Sequence, residues 1–192
     1  MKALKIYSAI MIALTALTIS CSKDDDAPTA PAFTEQNTYQ LMLDKQNFNS
    51  ITPSFGAAEL EAGIMFKPLA KGKITKFIVK LPAANANLAV NVWDITNGNL
   101  IKTEVVNVDA ASTEKTFAIT PIALEKNVQY AITMRTYDTY ESKRVGTDPL
   151  PFPFNCGSIQ VTGFALSQAH QFPGAFGNTY YGNVGFKFIQ TP

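Results

Sequence analysis

Cysteine, histidine and tryptophan are nearly missing from this chain, which has two Cys, one His and one Trp in 192 residues. Two cysteines allow at most one disulfide, so a small core stapled by several bridges is excluded. The single histidine, His170, sits in Ala169-His170-Gln171 with no motif around it. Nucleophilic hydrolysis needs a base beside Ser or Cys and a group that orients the base, and the sequence offers no such set. No Cys/His spacing suits zinc. Charge of one sign is also lacking: 16 basic and 15 acidic residues leave a formal charge of +1 and no basic stripe, which argues against a nucleic-acid partner. No segment has a convincing helical period, no internal repeat is visible, and no cofactor is implied. The N-terminal apolar run, residues 6–19, spans 14 residues. That is short of the roughly 20 needed to cross a bilayer.

What is present begins with that run. The basic start Met1-Lys2-Ala3-Leu4-Lys5 followed by residues 6–19 reads as an export signal covering 1–20. It ends at Leu17-Thr18-Ile19-Ser20-Cys21, which resembles the lipobox of bacterial lipoproteins, in which the cysteine is acylated and becomes the first residue of the mature chain. Ser22-Lys23-Asp24-Asp25-Asp26 resembles the acidic tract that sends lipoproteins of Bacteroidota to the cell surface. These resemblances imply an outer-membrane partner reached through a lipid on Cys21, with the domain exposed outside. Several acyl chains on one cysteine anchor stably, since each buried methylene contributes about 0.8 kcal/mol. Residues 21–35, with their acidic run and Ala27-Pro28-Thr29-Ala30-Pro31, have no apolar face to bury and read as a tether. Removing 20 of the 192 residues leaves 172, with 14 basic against 15 acidic once Lys2 and Lys5 are gone. Only Cys156 then remains beside Cys21, so stability must come from the core of residues 36–192.

That core is organised around residues 60–101. Leu60, Ala62, Ile64 and Phe66 alternate with more polar neighbours, as do Phe77, Val79 and Leu81 opposite Lys76 and Lys80, and Leu88, Val90 and Val92. Period-two alternation predicts antiparallel strands with one face buried and one wet. Asn97-Gly98 predicts a type I′ hairpin. Residues 38–43 read as a first short strand and 45–58 as a polar connection. Residues 100–108 continue the hairpin. Phe117 and Ile119 mark a strand stopping at Pro121, and Val128, Tyr130, Ile132 and Met134 a strong one. A strand over 158–166 lies between two irregular segments, 138–157 and 167–179, and Tyr180, Gly182, Val184, Phe186 and Phe188 close the chain. About nine short strands with turn signals between them predict an all-β fold, a single antiparallel β-sandwich of jelly-roll or immunoglobulin-like type. The 39–43 strand and the strand carrying Arg135 are expected at or near the edges.

Glu61-Ala62-Gly63-Ile64-Met65-Phe66, Gly72-Lys73-Ile74, Val92-Trp93-Asp94 with Gly98 and Leu100, Pro121-Ile122 with Tyr130, and Phe172-Pro173 with residues 178–184 resemble the successive motifs of the bacterial domain of unknown function 4082 over about residues 39–190. The chain departs from them at Ala62, Asn127, Tyr181 and Asn183. The resemblance implies an all-β module of secreted and surface proteins, often beside carbohydrate-active or adhesive domains, with no catalytic residues to carry over.

For function, a glycan-binding surface is the first expectation. Tyr137, Tyr140, Phe152 and Phe154 supply aromatic platforms, and Asp138, Glu141, Arg144 and Asp148 supply hydrogen-bonding partners, all within one proline-stiffened segment. The expected outcome of Tyr140→Ala or Arg144→Ala is lost glycan binding with unchanged thermal stability. The same aromatics could instead fold back as caps over the ends of the sandwich. Phe172, Phe176, Tyr180 and Tyr181 form a second aromatic group, expected at the opposite end. Trp93, on the outward parity of its strand, is expected beneath a loop. Cys156 has no basic neighbour and reads as a buried thiol. The carboxylates Asp94, Asp138, Glu141 and Asp148 show no pairing of the kind glycosidases need, so the chain is read as non-catalytic. The alternative is an adhesive or fimbria-like subunit partnered by other surface proteins. Fimbrillin-type lipoproteins resemble its N-terminus, but are cut at arginine, and no Arg lies between Cys21 and Met134.

Overall fold

The computed structural model of the chain describes residues 32–146, 151–177 and 179–192. Cys21, Ser22, Lys23, Asp24, Asp25, Asp26 and Asp148 lie outside the described residues. In order come β1 (Gln36–Asn37), α1 (Thr38–Gln46), β2 (Ser50–Pro68), β3 (Gly72–Val79), β4 (Asn85–Asp94), β5 (Asn99–Val108), β6 (Lys115–Leu124), β7 (Tyr130–Lys143), β8 (Phe154–Cys156), β9 (Ile159–Gln168), β10 (Gly174–Phe176), β11 (Tyr180–Tyr181) and β12 (Val184–Gln190). They form a four-stranded sheet, β1-β12-β3-β6, and a larger one, β10-β9-β2-β7-β4-β5, with β11 added to β7 and β8 to β9. All pairings are antiparallel. The expected all-β sandwich is what the chain adopts.

The two sheets share one core. Ala62, Ile64 and Phe66, then Phe77, Val79 and Leu81, then Leu88, Val90 and Val92 are buried, as their alternation requires, and Leu60 is half-buried. The sheets are in contact where Phe66 of β2 lies 4.6 Å, centroid to centroid, from Phe186 of β12. Tyr180 is fully buried beside Phe164 and Phe48, and its hydroxyl donates to the Val184 carbonyl at 2.7 Å. Burial pushes its phenol well above the ordinary range. The sequence ahead of β1 is fastened by Glu35. Its carboxylate accepts from the Thr75 hydroxyl at 2.5 Å and from Lys76 at 2.9 Å, and the Thr75 bond first, with the Lys76 and Lys187 charges, holds it below the usual carboxylate range against the opposing effect of burial. A carboxyl lowered on folding favours the native state above its ordinary pKa, and this contribution is lost as pH falls through the folded value.

Several expectations are corrected. Residues 38–46 are a helix and not a strand. Asn37 caps it by accepting from the Gln40 N–H at 3.1 Å, and Asn47 closes it in the left-handed region at φ 49°, its N–H bonding the Leu43 carbonyl at 2.8 Å. Thr38, Tyr39, Met42 and Gln46 are its buried positions, spaced for a helix face, while Leu41 is exposed. The polar connection expected over 45–58 begins with the end of α1 and from residue 50 onward is the first half of the 19-residue β2. The strand carrying Arg135 is not an edge: β7 lies between β2 and β4. At Asn97-Gly98 only Gly98 has positive φ, so the turn is not type I′. Asp94 holds it by accepting from the Asn97 backbone and side chain at 3.1 and 2.7 Å. β6 continues through Pro121 because that residue falls where the β3–β6 register shifts, in a bulge that asks no ladder N–H of it. The segments read as irregular contain ladder: 138–143 extends β7, and β8 and β10 lie within the rest.

Candidate functional site

The segment expected to bind ligand does not form one surface. Tyr137 is 53% exposed, on β7 two residues beyond Arg135. Asp138, Glu141 and Arg144 are half-buried, and Glu141 is paired with Lys143 at 3.1 Å. Tyr140, expected as an exposed platform, is buried. Its hydroxyl donates to the Ser112 hydroxyl at 2.8 Å, and the Lys80 ammonium lies 5.5 Å from its ring centroid. Phe154 is buried too, and Phe152 stacks on it at 5.4 Å while meeting Phe164 edge-on at 4.9 Å. Those three aromatics are caps on the core, as the alternative reading had it, because their apolar rings gain more from packing there than from facing water. Tyr140→Ala is therefore expected to lose about 3 kcal/mol of stability, read as a lower denaturant midpoint, and not to leave folding untouched.

A different set of residues converges on the outer face of the larger sheet. β9 and β7 both pair with β2, so they run parallel, and the end of β9 comes level with the middle of β7. The expected opposite-end placement of the two aromatic segments therefore fails. Residues 169–173 leave β9 and cross this face. Ala169 donates to the Glu59 carbonyl at 3.1 Å, His170 Nδ1 lies 2.9 Å from an Arg135 guanidinium nitrogen, and His170 Nε2 lies 3.8 Å from Glu59. Arg135 is itself 3.6 Å from Glu59. Phe172 then meets Trp93 of β4 edge-on, at 5.9 Å and 82°, while remaining 44% exposed. Trp93 thus lies under a loop, as expected.

Beneath the crossing segment is a polar network that the alternation pattern had assigned to the wet face. Glu61 stands opposite Arg135 and Ser167 in the β2 ladders, on the outer side, yet it is 0% exposed. One carboxyl oxygen, Oε1, accepts from Asn91 Nδ2 at 2.7 Å and from the Thr133 hydroxyl. Thr133 accepts in turn from Trp93 Nε1 at 2.9 Å, and Asn91 Oδ1 accepts from the Thr103 hydroxyl at 2.7 Å. Two chains of donors converge on Oε1, whereas Oε2 is buried with no hydrogen-bond partner among the described residues. A buried acceptor left unpaired costs about 1–3 kcal/mol, so the arrangement carries a stability penalty at this point. Sequence reasoning missed Glu61, because one acidic residue on the outward parity of a strand looks like any solvent-facing side chain.

Cys156 is buried and unpaired, and burial pushes its thiol up to about 11, with Lys45 opposing weakly. It is an unreactive thiol at neutral pH. Among the described residues no group of three or more His, Cys, Asp and Glu side chains is placed to share a metal ion. In comparison with known proteins, the chain matches no family model and no curated protein.

Proposed function

We propose that the chain is a non-catalytic lipoprotein anchored to the outer membrane through Cys21, exposed at the cell surface by the Ser22-Lys23-Asp24-Asp25-Asp26 tract, and that its sandwich binds glycans. The resemblance to the domain of unknown function 4082 rests on the quoted residues alone and is in keeping with the same reading. The observation that carries it is the meeting, on one face, of aromatic rings with charged donors and acceptors: Trp93 and Phe172 beside Arg135, His170 and Glu59. Sugars present apolar C–H faces that stack on aromatic rings and hydroxyls that need a few placed polar groups. Tyr137 adjoins this face; Asp138 and Glu141 lie further along β7, and Arg144 follows its end. The test is retention of the full chain on immobilised plant, fungal and bacterial polysaccharides, with Arg135→Ala expected to weaken it. Cys21→Ala is expected to abolish fatty-acid incorporation and membrane association, and equal labelling of that variant would remove the anchor from this reading.

A second reading, an adhesive or assembling surface subunit, is favoured by one feature. Residues 50–55 of β2 pair with β7 alone, leaving a strand edge on which Ile51 and Phe55 are exposed. Unprotected edges pair readily with another chain. No retention on any polysaccharide, together with self-association abolished by Phe55→Lys, would put this reading first.

A further inference from the structure

We infer that residues 169–173 are a roof over a saccharide site whose floor is Glu61 and Trp93, and that a hydroxyl of the ligand donates to Glu61 Oε2 while its ring takes the place of Phe172 on Trp93. This rests on the glycan-binding reading and adds to it the residues and the motion.

Three observations carry it. The first is the unpartnered oxygen. Glu61 is fully buried, its Oε1 is saturated by Asn91 and Thr133, and its Oε2 has nothing among the described residues to accept from. The donor chains fix the carboxyl group, so Oε2 is held in one direction, as a recognition acceptor requires. Arg135, directly across the ladder, is engaged by Glu59 and His170 and leaves Oε2 free for a ligand hydroxyl. The second is the floor. Around Glu61 the outer face carries the small residues Gly63, Ala89, Ala131 and Ala165, all buried, with Thr133 linking the β2 carboxyl to the indole and Arg135 directly across the ladder from Glu61. The third is the roof itself. Oε2 is buried, so a ligand hydroxyl reaches it only by displacing what crosses the outer face, and residues 169–173 are the segment that crosses there. That segment is fastened at its start by Ala169 and His170 and more weakly at its tip: Phe172 touches Trp93 only by an edge and is 44% exposed, and His170 adopts φ 62°, a left-handed backbone that non-glycine residues disfavour. Its displacement would expose the Trp93 ring, uncover Oε2 and leave Arg135 at the rim.

The lone tryptophan makes this measurable, since Trp93 is the only source of indole fluorescence. The full chain is titrated with hexasaccharides of β-glucose, β-xylose, β-mannose and β-N-acetylglucosamine while emission and acrylamide quenching are followed. The wild type is expected to shift its emission on binding one of them. Glu61→Gln, which keeps the side chain's shape, is expected to bind at least tenfold more weakly with an unchanged unfolding midpoint. Phe172→Ala needs no ligand: it is expected to raise quenching of Trp93 and to bind as tightly as the wild type or more so. Binding that leaves Trp93 emission and Glu61→Gln affinity unchanged would overturn the site and leave the glycan reading standing. Quenching unchanged in Phe172→Ala would overturn the roof. No binding by the wild type to these sugars or to the immobilised polysaccharides would overturn the glycan reading and this site with it.

Discussion

Phe186→Ala is expected to lower stability by about 3–5 kcal/mol, which for a domain of this size moves the thermal midpoint down by roughly 6–20 °C. The reason lies in what else holds the sandwich shut. The one cysteine described, Cys156, is unpaired, so no bridge ties the sheets, and the ion pairs lie on partly exposed side chains that contribute little. Cohesion between the layers therefore falls to apolar contact. Phe186 is fully buried, comes from the four-stranded sheet, and packs against Phe66 of the larger sheet at 4.6 Å with the rings inclined by 42°. Removing the ring leaves a cavity between two hydrogen-bonded layers that cannot collapse independently. A double-mutant cycle with Phe66→Ala should return a coupling of about 0.5–1.5 kcal/mol for the pair itself. Phe55→Ala is the control: that ring is 68% exposed, and its loss should stay within about 0.5 kcal/mol. Equal effects at Phe55 and Phe186 would mean that the layers are not held together at this contact.

The strands that close this core were legible because their apolar residues repeat at period two and Ala62, Ile64 and Phe66 and Leu88, Val90 and Val92 are buried, although the intervening Glu61, Gly63, Ala89, Asn91 and Trp93 are buried too on the covered outer face. Where the period is short or absent, tertiary context decided. In α1, Leu41 and Leu43 beside Tyr39 imitate an alternating strand, while the helix spacing of Tyr39, Met42 and Gln46 hides behind a buried glutamine. The capping asparagines Asn37 and Asn47 were the signals that could have located it. The first half of β2 escaped because it pairs on one side only and is mostly exposed, so nothing forces an apolar pattern on it, and Pro53 and Gly56 look like breakers. The candidate site was hidden for a related reason. Parity told which way Glu61, Asn91, Thr133 and Trp93 point, but not that residues 169–173 return across the face they point to. That return depends on β9 lying beside β2 rather than beside β7, which is a long-range pairing with no local signature.

The close approach of β2 and β7 gives the other large effect. Gly63 lies opposite Thr133, and a Cβ built on it would fall 2.0 Å from the Ile132 carbonyl oxygen and 2.8 Å from the Thr133 Cα. Both are backbone atoms of the strand at the centre of the larger sheet, so they cannot swing aside as a side-chain end would. Gly63→Ala must push β7 away from β2, and the expected cost is about 3 kcal/mol or more, with Gly63→Val failing to fold. Gly163 gives the matched comparison on the next strand and the same face. Its nearest neighbour would be the Met65 sulfur at 3.9 Å, an ordinary contact with a flexible side chain. Gly163→Ala is expected to be neutral or to stabilise by up to about 1 kcal/mol, because alanine loses less backbone freedom on folding. Chemical denaturation of the two variants separates the cases, and equal midpoints would show that the strands do not need this approach. The same geometry reaches the site. Because no side chain stands at Gly63, Thr133 lies close enough to donate to Glu61 while accepting from Trp93. A Gly63→Ala protein that still folds should therefore carry an altered Trp93 emission, whereas Gly163→Ala should not.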